Sequence, residues 1–431
     1  MIKGPVTRTG LPDGVRDVLY PEVVRLRRLE GTLAEIFSRW GYREVVTPAF
    51  ELLEAVIPGA GVRAQEELYK FIDRRGRILA LRPDMTTPIA RLVATHLAWE
   101  PGPQRFYYSG PVFRCQESRK GRPHEFRQSG IELIGDATPF ADAEVIAVAV
   151  EALRAAGLAE FGIGVGHVEF LEGLMEQASL PEASRADLRT ALAQRNYVAY
   201  EQALYGLNLP EAERDVLLFV ASASGGREVP AEIASRVSNL RARAALDEMK
   251  RLMELLAVHG VQDFVHLDLG LVRDFEYYTG IIFEGYVPGS GSPLCGGGRY
   301  DNLLGEFVEP SPATGFALEL DGLCRVLERN RDEDQSDLLD YLIVPEPGTE
   351  RNAIEKARYL RARGHSVIVF SGSDVGEARD YASRRGVRNL LLAGKKGYRE
   401  IGYPGTGGGA ATPVSGGSPV SNGSPAFQGI H

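Results

Sequence analysis

Cysteine is scarce in this chain. The three present, Cys115, Cys295 and Cys324, lie far apart and form no CxxC pair, which argues against a disulfide framework or a zinc ribbon and fits a reducing compartment. None of the seven histidines belongs to an HExxH pair or clusters with the cysteines, so no metal is expected. A GxxxxGK[ST] loop is missing, and GIGVG at Gly162–Gly166 lacks the GxGxxG spacing of a dinucleotide site. No bound cofactor is therefore expected. The N-terminus has no apolar core of about 7–15 residues like that of a signal peptide. Nor does any run of roughly 18 apolar residues occur that could cross a bilayer. A cytoplasmic protein without membrane association is expected. Positive charge is also in deficit, with 49 Lys and Arg against 58 Asp and Glu, a net charge of −9, which disfavours nucleic acid as a general partner.

What is present is enough apolar material, 44% of 431 residues, to build two or three domains. Leu26, Leu29, Leu33, Ile36, Phe37 and Trp40 recur at three- and four-residue spacing between Pro21 and Gly41, the signature of an amphipathic helix with a Pro start and a Gly stop. A β-branched stretch, Tyr42–Pro48, follows, and then a second helix-like stretch from Phe50. Strand signals recur at Ile78–Leu81, Arg105–Arg114 and Glu125–Leu133, before a helix over about Asp142–Ala156. This order predicts an α+β fold, an antiparallel sheet flanked by helices and not a βαβ nucleotide fold. Residues 170–258 read as an all-helical insertion. Strand signals resume at Val265–Leu269, Tyr277–Tyr286 and Ala313–Leu320, completing a core over 1–325. A charged stretch over 326–337 reads as a linker. Residues 338–403 alternate as β-α-β-α-β and stop after a third strand. The Gly/Ser-rich 404–431 cannot build a core and should be disordered.

Several segments carry chemistry. Arg114 and Arg273 supply planar guanidinium groups suited to anionic oxygens. Asp84, Thr86, Gln128 and Glu132 can pair with an ammonium group or ring nitrogens, and Tyr277 and Tyr278 can wall an imidazole. The run Gly296–Gly298 lets backbone approach a ligand. Singly, each has an ordinary structural reading: Arg114 and Glu132 as a surface pair, the tyrosines as strand aromatics, the glycines as a hairpin loop.

The ordered set is more specific. LPDGVRD (Leu11–Asp17), GYREVVTPAFE (Gly41–Glu51), LRPDMT (Leu81–Thr86), VFRCQESRKGRPHEFRQSGIELIG (Val112–Gly135), LVRDFEYYTGIIFE (Leu271–Glu284), GGGRYDNLLG (Gly296–Gly305) and ATGFALELDGL (Ala313–Leu323) together resemble the class II histidyl-tRNA synthetase core. Charging enzymes of this class end their third motif in Glu-Arg, where this chain has Asp321-Gly322, with Arg325 one helical turn further on. Asp84-Met85 stands where synthetases usually have Glu-Gly, and the C-terminal unit looks like a shortened anticodon-binding domain. In these departures the chain is similar to the regulatory subunits of ATP phosphoribosyltransferase. That resemblance implies a non-catalytic subunit that binds histidine as effector, using Asp84, Thr86, Arg114, Gln128, Glu132, Arg273, Tyr277 and Tyr278. It further implies a homodimer within a hetero-oligomer, a short-form catalytic phosphoribosyltransferase subunit as partner, and little role for tRNA. An active histidyl-tRNA synthetase is the alternative.

Overall fold

The computed structural model describes residues 10–20, 22–59, 65–115, 123–226, 233–273, 277–329 and 339–402. They divide between two compact units, Met1–Arg331 and Asp332–His431.

In the first unit, helix α1 (Glu22–Arg39) forms where the three- and four-residue spacing placed it. It buries Leu26, Leu29, Leu33, Ile36 and Phe37, and Gly41 beyond its end takes a φ of +81°, the left-handed stop that glycine adopts without cost. Leu33 is fully buried, so Leu33→Ala would cost about 2–5 kcal/mol. Helix α1 lies on a nine-stranded sheet ordered β1-β5-β6-β12-β11-β10-β7-β9-β8. Its strands are β1 (Arg43–Glu44), β5 (Gln104–Phe113), β6 (Glu125–Ile134), β7 (Gly162–His167), β8 (Ser224–Gly225), β9 (Val265–Asp268), β10 (Ile281–Tyr286), β11 (Cys295–Arg299) and β12 (Ala313–Glu319). A separate small sheet holds β2 (Phe50–Leu52), β4 (Ile78–Leu81) and β3 (Lys70–Ile72) in that order. All central pairings are antiparallel except β1 with β5 and β7 with β9.

Strand alternation splits the central sheet into two faces of opposite character. Ile131, Leu133, Phe283, Phe316 and Leu318 join one apolar core with α1 and the helix Pro139–Ala155. That second helix is Ala- and Val-rich and buries eleven of its residues, which suits a helix packed nearly all round. The alternate positions, Gln128, Gly130 and Glu132 on β6, Gly315 and Ala317 on β12, and Glu284 on β10, face the other side and shape a cleft.

Three sequence expectations need correction. The helix-like stretch from Phe50 begins as β2 and only then makes a short helix, Leu53–Val56, because backbone pairing with β4 captures its first three residues. The stretch taken as all-helical contains β8, a two-residue strand paired with β9, too short for any periodicity to reveal. Tyr277 and Tyr278 precede β10 instead of lying in it, which leaves their side chains free of sheet alternation. GIGVG is strand β7, paired with β10 and β9.

In the second unit, β13 (Leu339–Pro345), β14 (Val367–Val369) and β15 (Val387–Gly394) run parallel, with helices Glu350–Arg361 and Val375–Arg385 between them. Apolar residues bury on both sheet faces, the pattern of a covered parallel sheet. The unit does not stop at three strands. A fourth, β16 (Gly397–Glu400), pairs antiparallel with β15 through a two-residue turn. All four of its residues are exposed, so it carries no hydrophobic alternation to betray it. The helix Leu320–Arg329 of the first unit reaches into the stretch read as linker. The rest of that stretch, and residues 404–431, lie outside the described residues.

Candidate functional site

One cleft of about 1210 Å³ opens on the uncovered face of the central sheet, somewhat larger than the ~300–1,000 Å³ of ordinary ligand sites. All eight sequence-selected residues, Asp84, Thr86, Arg114, Gln128, Glu132, Arg273, Tyr277 and Tyr278, line it. Their order in sequence is brought together by β6, the start of the helix Thr86–His96, and the segment before β10.

At its deepest end the cleft gathers acceptors. Glu132 is 1% exposed; its Oε1 accepts from the Thr86 hydroxyl at 2.7 Å and its Oε2 from the Tyr300 hydroxyl. Burial pushes its carboxyl up to about 8, with the two hydroxyl donors opposing, so Glu132 holds a proton near neutrality. There is room for this carboxyl only because its cross-strand neighbour is Gly315, where a Cβ would collide with Glu132 Oε2 and with the Ile131 carbonyl. Asp84 accepts from the Thr87 amide at 3.2 Å through Oδ1. Its buried Oδ2 has no partner, and neither does the buried Oε1 of Gln128, further along β6 and opposite Glu319. Burial also raises the Asp84 carboxyl, against the pull of Arg114. Buried acceptors without donors are costly, by about 1–3 kcal/mol each, and a ligand carrying several N–H groups would satisfy them. Tyr277 packs against Tyr278 at 4.8 Å and edge-on to Tyr300 at 5.7 Å, forming an aromatic wall beside those acceptors.

Two guanidinium groups serve the rest. Arg114 donates through Nε to the Pro83 carbonyl at 2.8 Å and lies over the Phe126 ring. Arg273 donates to Glu284 at 3.0 Å, stacks over Tyr278, and keeps a buried Nε with no partner. Gly296 makes space for Arg273, since a Cβ there would collide with its guanidinium.

At the third-motif end the arrangement differs. Asp321 is turned inward, accepting from the Arg127 amide at 2.7 Å and pairing with Arg16 at 3.4 Å. A Cβ at Gly322 would stand 2.5 Å from Leu294 Cδ2. Arg325 lines the cleft, half-exposed, with Glu319 at 3.4 Å. Among the described residues no group of three or more His, Cys, Asp or Glu is placed to hold a metal, and no helix is long and apolar enough to cross a membrane.

Sequence reasoning missed Tyr300, Tyr108, Glu284 and Arg195 as cleft residues. Tyr300 sits inside the GGGRYDNLL motif, where that signal was available. Arg195 lies in the helical insertion, between β7 and β8 and far in sequence from the β9 and β10 residues it meets, and nothing local marks it.

This sheet, its helical backing and its acceptor-lined cleft define the class II synthetase-like architecture. The histidyl-tRNA synthetase family model matches residues 14–323. The chain is 48% identical over 396 residues to the ATP phosphoribosyltransferase regulatory subunit of Symbiobacterium thermophilum, covering 90% of this chain and 98% of that one. It is 44% identical to the regulatory subunit of Moorella thermoacetica, covering 89% and 97%. Among solved structures, the ATP phosphoribosyltransferase regulatory subunit/histidyl-tRNA synthetase of Bacillus halodurans C superposes with a TM-score of 0.82 at 36% identity, over 91% and 99% of the two chains. The histidyl-tRNA synthetase of Nostoc sp. PCC 7120 shares the fold, with a TM-score of 0.77 at 22% identity over 90% and 92%. The chain belongs to the ATP phosphoribosyltransferase regulatory subunit family, built on the histidyl-tRNA synthetase domain, and a regulatory role follows from that membership.

Proposed function

We propose that this chain binds histidine in the cleft and controls a separate, short-form catalytic ATP phosphoribosyltransferase, at the first step of histidine synthesis, without catalysing a reaction itself. In this reading residues 1–325 form the ligand-binding core, 338–403 a truncated anticodon-binding-like unit, and 404–431 a dispensable tail. The subunit works as a cytoplasmic homodimer within a hetero-oligomer.

The observation that carries the reading is that two buried acceptors lining the cleft, Asp84 Oδ2 and Gln128 Oε1, have no partner, with the buried Glu132 carboxyl in the same cleft. An α-ammonium supplies three donors and a positive charge to this pole, and the tyrosine wall suits a flat ring. Meanwhile the third-motif carboxylate, Asp321, is engaged by the Arg127 amide, and no arginine stands at 322. Calorimetry of the purified chain with histidine, followed by co-purification with a short catalytic phosphoribosyltransferase and assay of its inhibition, tests both parts. Absence of histidine binding would refute the effector assignment, and absence of association would refute the partner assignment.

Arg325 on the cleft rim is the observation that favours the second reading, an active histidyl-tRNA synthetase using that cation in place of the missing one. Histidine-dependent pyrophosphate exchange with ATP and magnesium separates the two.

A further inference from the structure

The wall of the cleft away from the acceptor pole carries a charge network assembled from distant parts of the chain. Glu284 on β10 accepts from Arg273 at 3.0 Å and lies 3.6 Å from the guanidinium of Arg195. Arg195 also approaches Asp268 on β9 at 4.0 Å, stacks on the Tyr286 ring at 4.8 Å and hydrogen-bonds the Tyr286 hydroxyl. Glu284 is thus shared between two cations. One stands inside the cleft against Tyr278, and the other comes from outside the sheet.

Arg195 belongs to the short link between the helices Glu182–Ala193 and Tyr197–Gly206. Its amide reaches the Leu192 carbonyl and that of Asn196 reaches Ala191, both at 2.8 Å, closing the first helix with a left-handed residue. Its φ is +52°, a conformation that costs a side-chain-bearing residue and that glycine adopts freely. The backbone therefore favours glycine at this position, while the arginine side chain ties the helical segment to the cleft wall. Strained residues of this kind persist where the surroundings over-determine them.

We propose that Arg195 is a positioning residue through which cleft occupancy reaches the helices of residues 182–206. Arg273 lines the cleft and keeps one buried donor, Nε, without a partner. An anionic group of the ligand taken up by Arg273 weakens its hold on Glu284, and Glu284 then pairs more fully with Arg195, drawing the helices onto the sheet. Because the coupling is reciprocal, Arg195 in turn keeps Arg273 available to the anion by competing for Glu284. This rests on the reading of the cleft as an amino-acid site.

The full-length chain can be tested with histidine and with histamine, which lacks the carboxylate, by calorimetry and by hydrogen exchange over residues 182–206. Arg195→Gly should melt at or near the wild-type temperature, since glycine suits the backbone there. Its histidine affinity should fall roughly fivefold or more, with histamine affinity equal to that of wild type, and Arg195→Lys should restore most of the loss. Histidine should slow exchange over 182–206 in the wild type but not in Arg195→Gly. Unchanged histidine affinity with protection intact overturns the relay and leaves the amino-acid reading standing. Equal weakening of both ligands with a lowered melting temperature also overturns it, since Arg195 would then be merely structural. If the wild-type chain binds no histidine, the amino-acid reading falls and the relay with it.

Discussion

The two ends of the cleft differ in what their polar groups are doing. At the deep end Asp84 keeps a buried oxygen with no partner, and Glu132 sits almost wholly buried between two hydroxyl donors. At the third-motif end Asp321 is engaged by the Arg127 amide and by Arg16, while Arg325 is half in solvent. Polar groups waiting for a ligand are kept under stress, whereas polar groups recruited to the scaffold are satisfied within it. The contrast teaches that one end of the cleft keeps a buried polar oxygen unsatisfied while the other has its carboxylate bound into the scaffold.

The sharpest way to break this contrast is to look for chemistry at the second end. Histidine-dependent pyrophosphate exchange should run at least about a hundredfold below an ordinary synthetase, because a phosphate-directed cation is missing. Gly322→Arg should not restore it. A side chain there must displace the buried Leu294, so the variant should instead lose about 1–3 kcal/mol of stability. Exchange near synthetase rates in the unaltered chain would erase the distinction between the two ends.

A smaller effect tests the first end. Glu132→Ala should weaken histidine binding by about 1–3 kcal/mol, the loss expected when a buried ammonium is left without its acceptor. Unaltered affinity would place the effector elsewhere and make the deep end inherited architecture.

How much of this contrast was legible in the sequence depends on spacing. Ordered motifs brought eight residues from Asp84 to Tyr278 into one cleft, because each sits in a contiguous motif that a strand or helix within or beside it anchors. The α1 spacing and the β5–β6 pair were equally plain, since ten-residue strands and a five-turn helix repeat their signal many times. Arg195 was illegible because its partners Asp268, Glu284 and Tyr286 are 73, 89 and 91 residues away. Strand β16 was illegible because an exposed strand has no apolar face to alternate. The inward turn of Asp321 could not be read either, since sequence tells that a carboxylate is present but not that a backbone amide has claimed it.

The comparison can also be sharpened by pH. Glu132 ionises at about 8 in the folded chain against an ordinary 4.5, so the folded state binds the extra proton between those values. The stability that this proton confers is present at low pH and is lost as pH rises through about 8. Melting of the ligand-free chain should therefore fall as pH rises from about 5 to about 8 and level off above that. An ammonium ligand favours the ionised carboxylate, so binding should release a proton, and affinity should rise by up to about tenfold per unit between pH 7 and 8. Calorimetry in buffers of different ionisation heat measures the proton count directly. A pH-independent affinity with no proton released would mean that Glu132 is already ionised before the ligand binds. At the bottom of the scale, truncation after Tyr403 should leave melting and histidine affinity unchanged, because a Gly/Ser/Pro stretch buries too little to matter to either end. A drop of several degrees would show that the tail docks.

The glycine at 315 has a consequence for how this protein can fail. Most binding sites are lost when atoms that touch the ligand are removed. Here one added carbon is enough, because a Cβ at 315 would meet both the Glu132 carboxylate and the Ile131 backbone, and the backbone cannot step aside. Under the proposed effector role, bulk added at Gly315 should abolish the response to histidine as fully as deletion of Glu132, by displacing that carboxylate without removing it from the sequence.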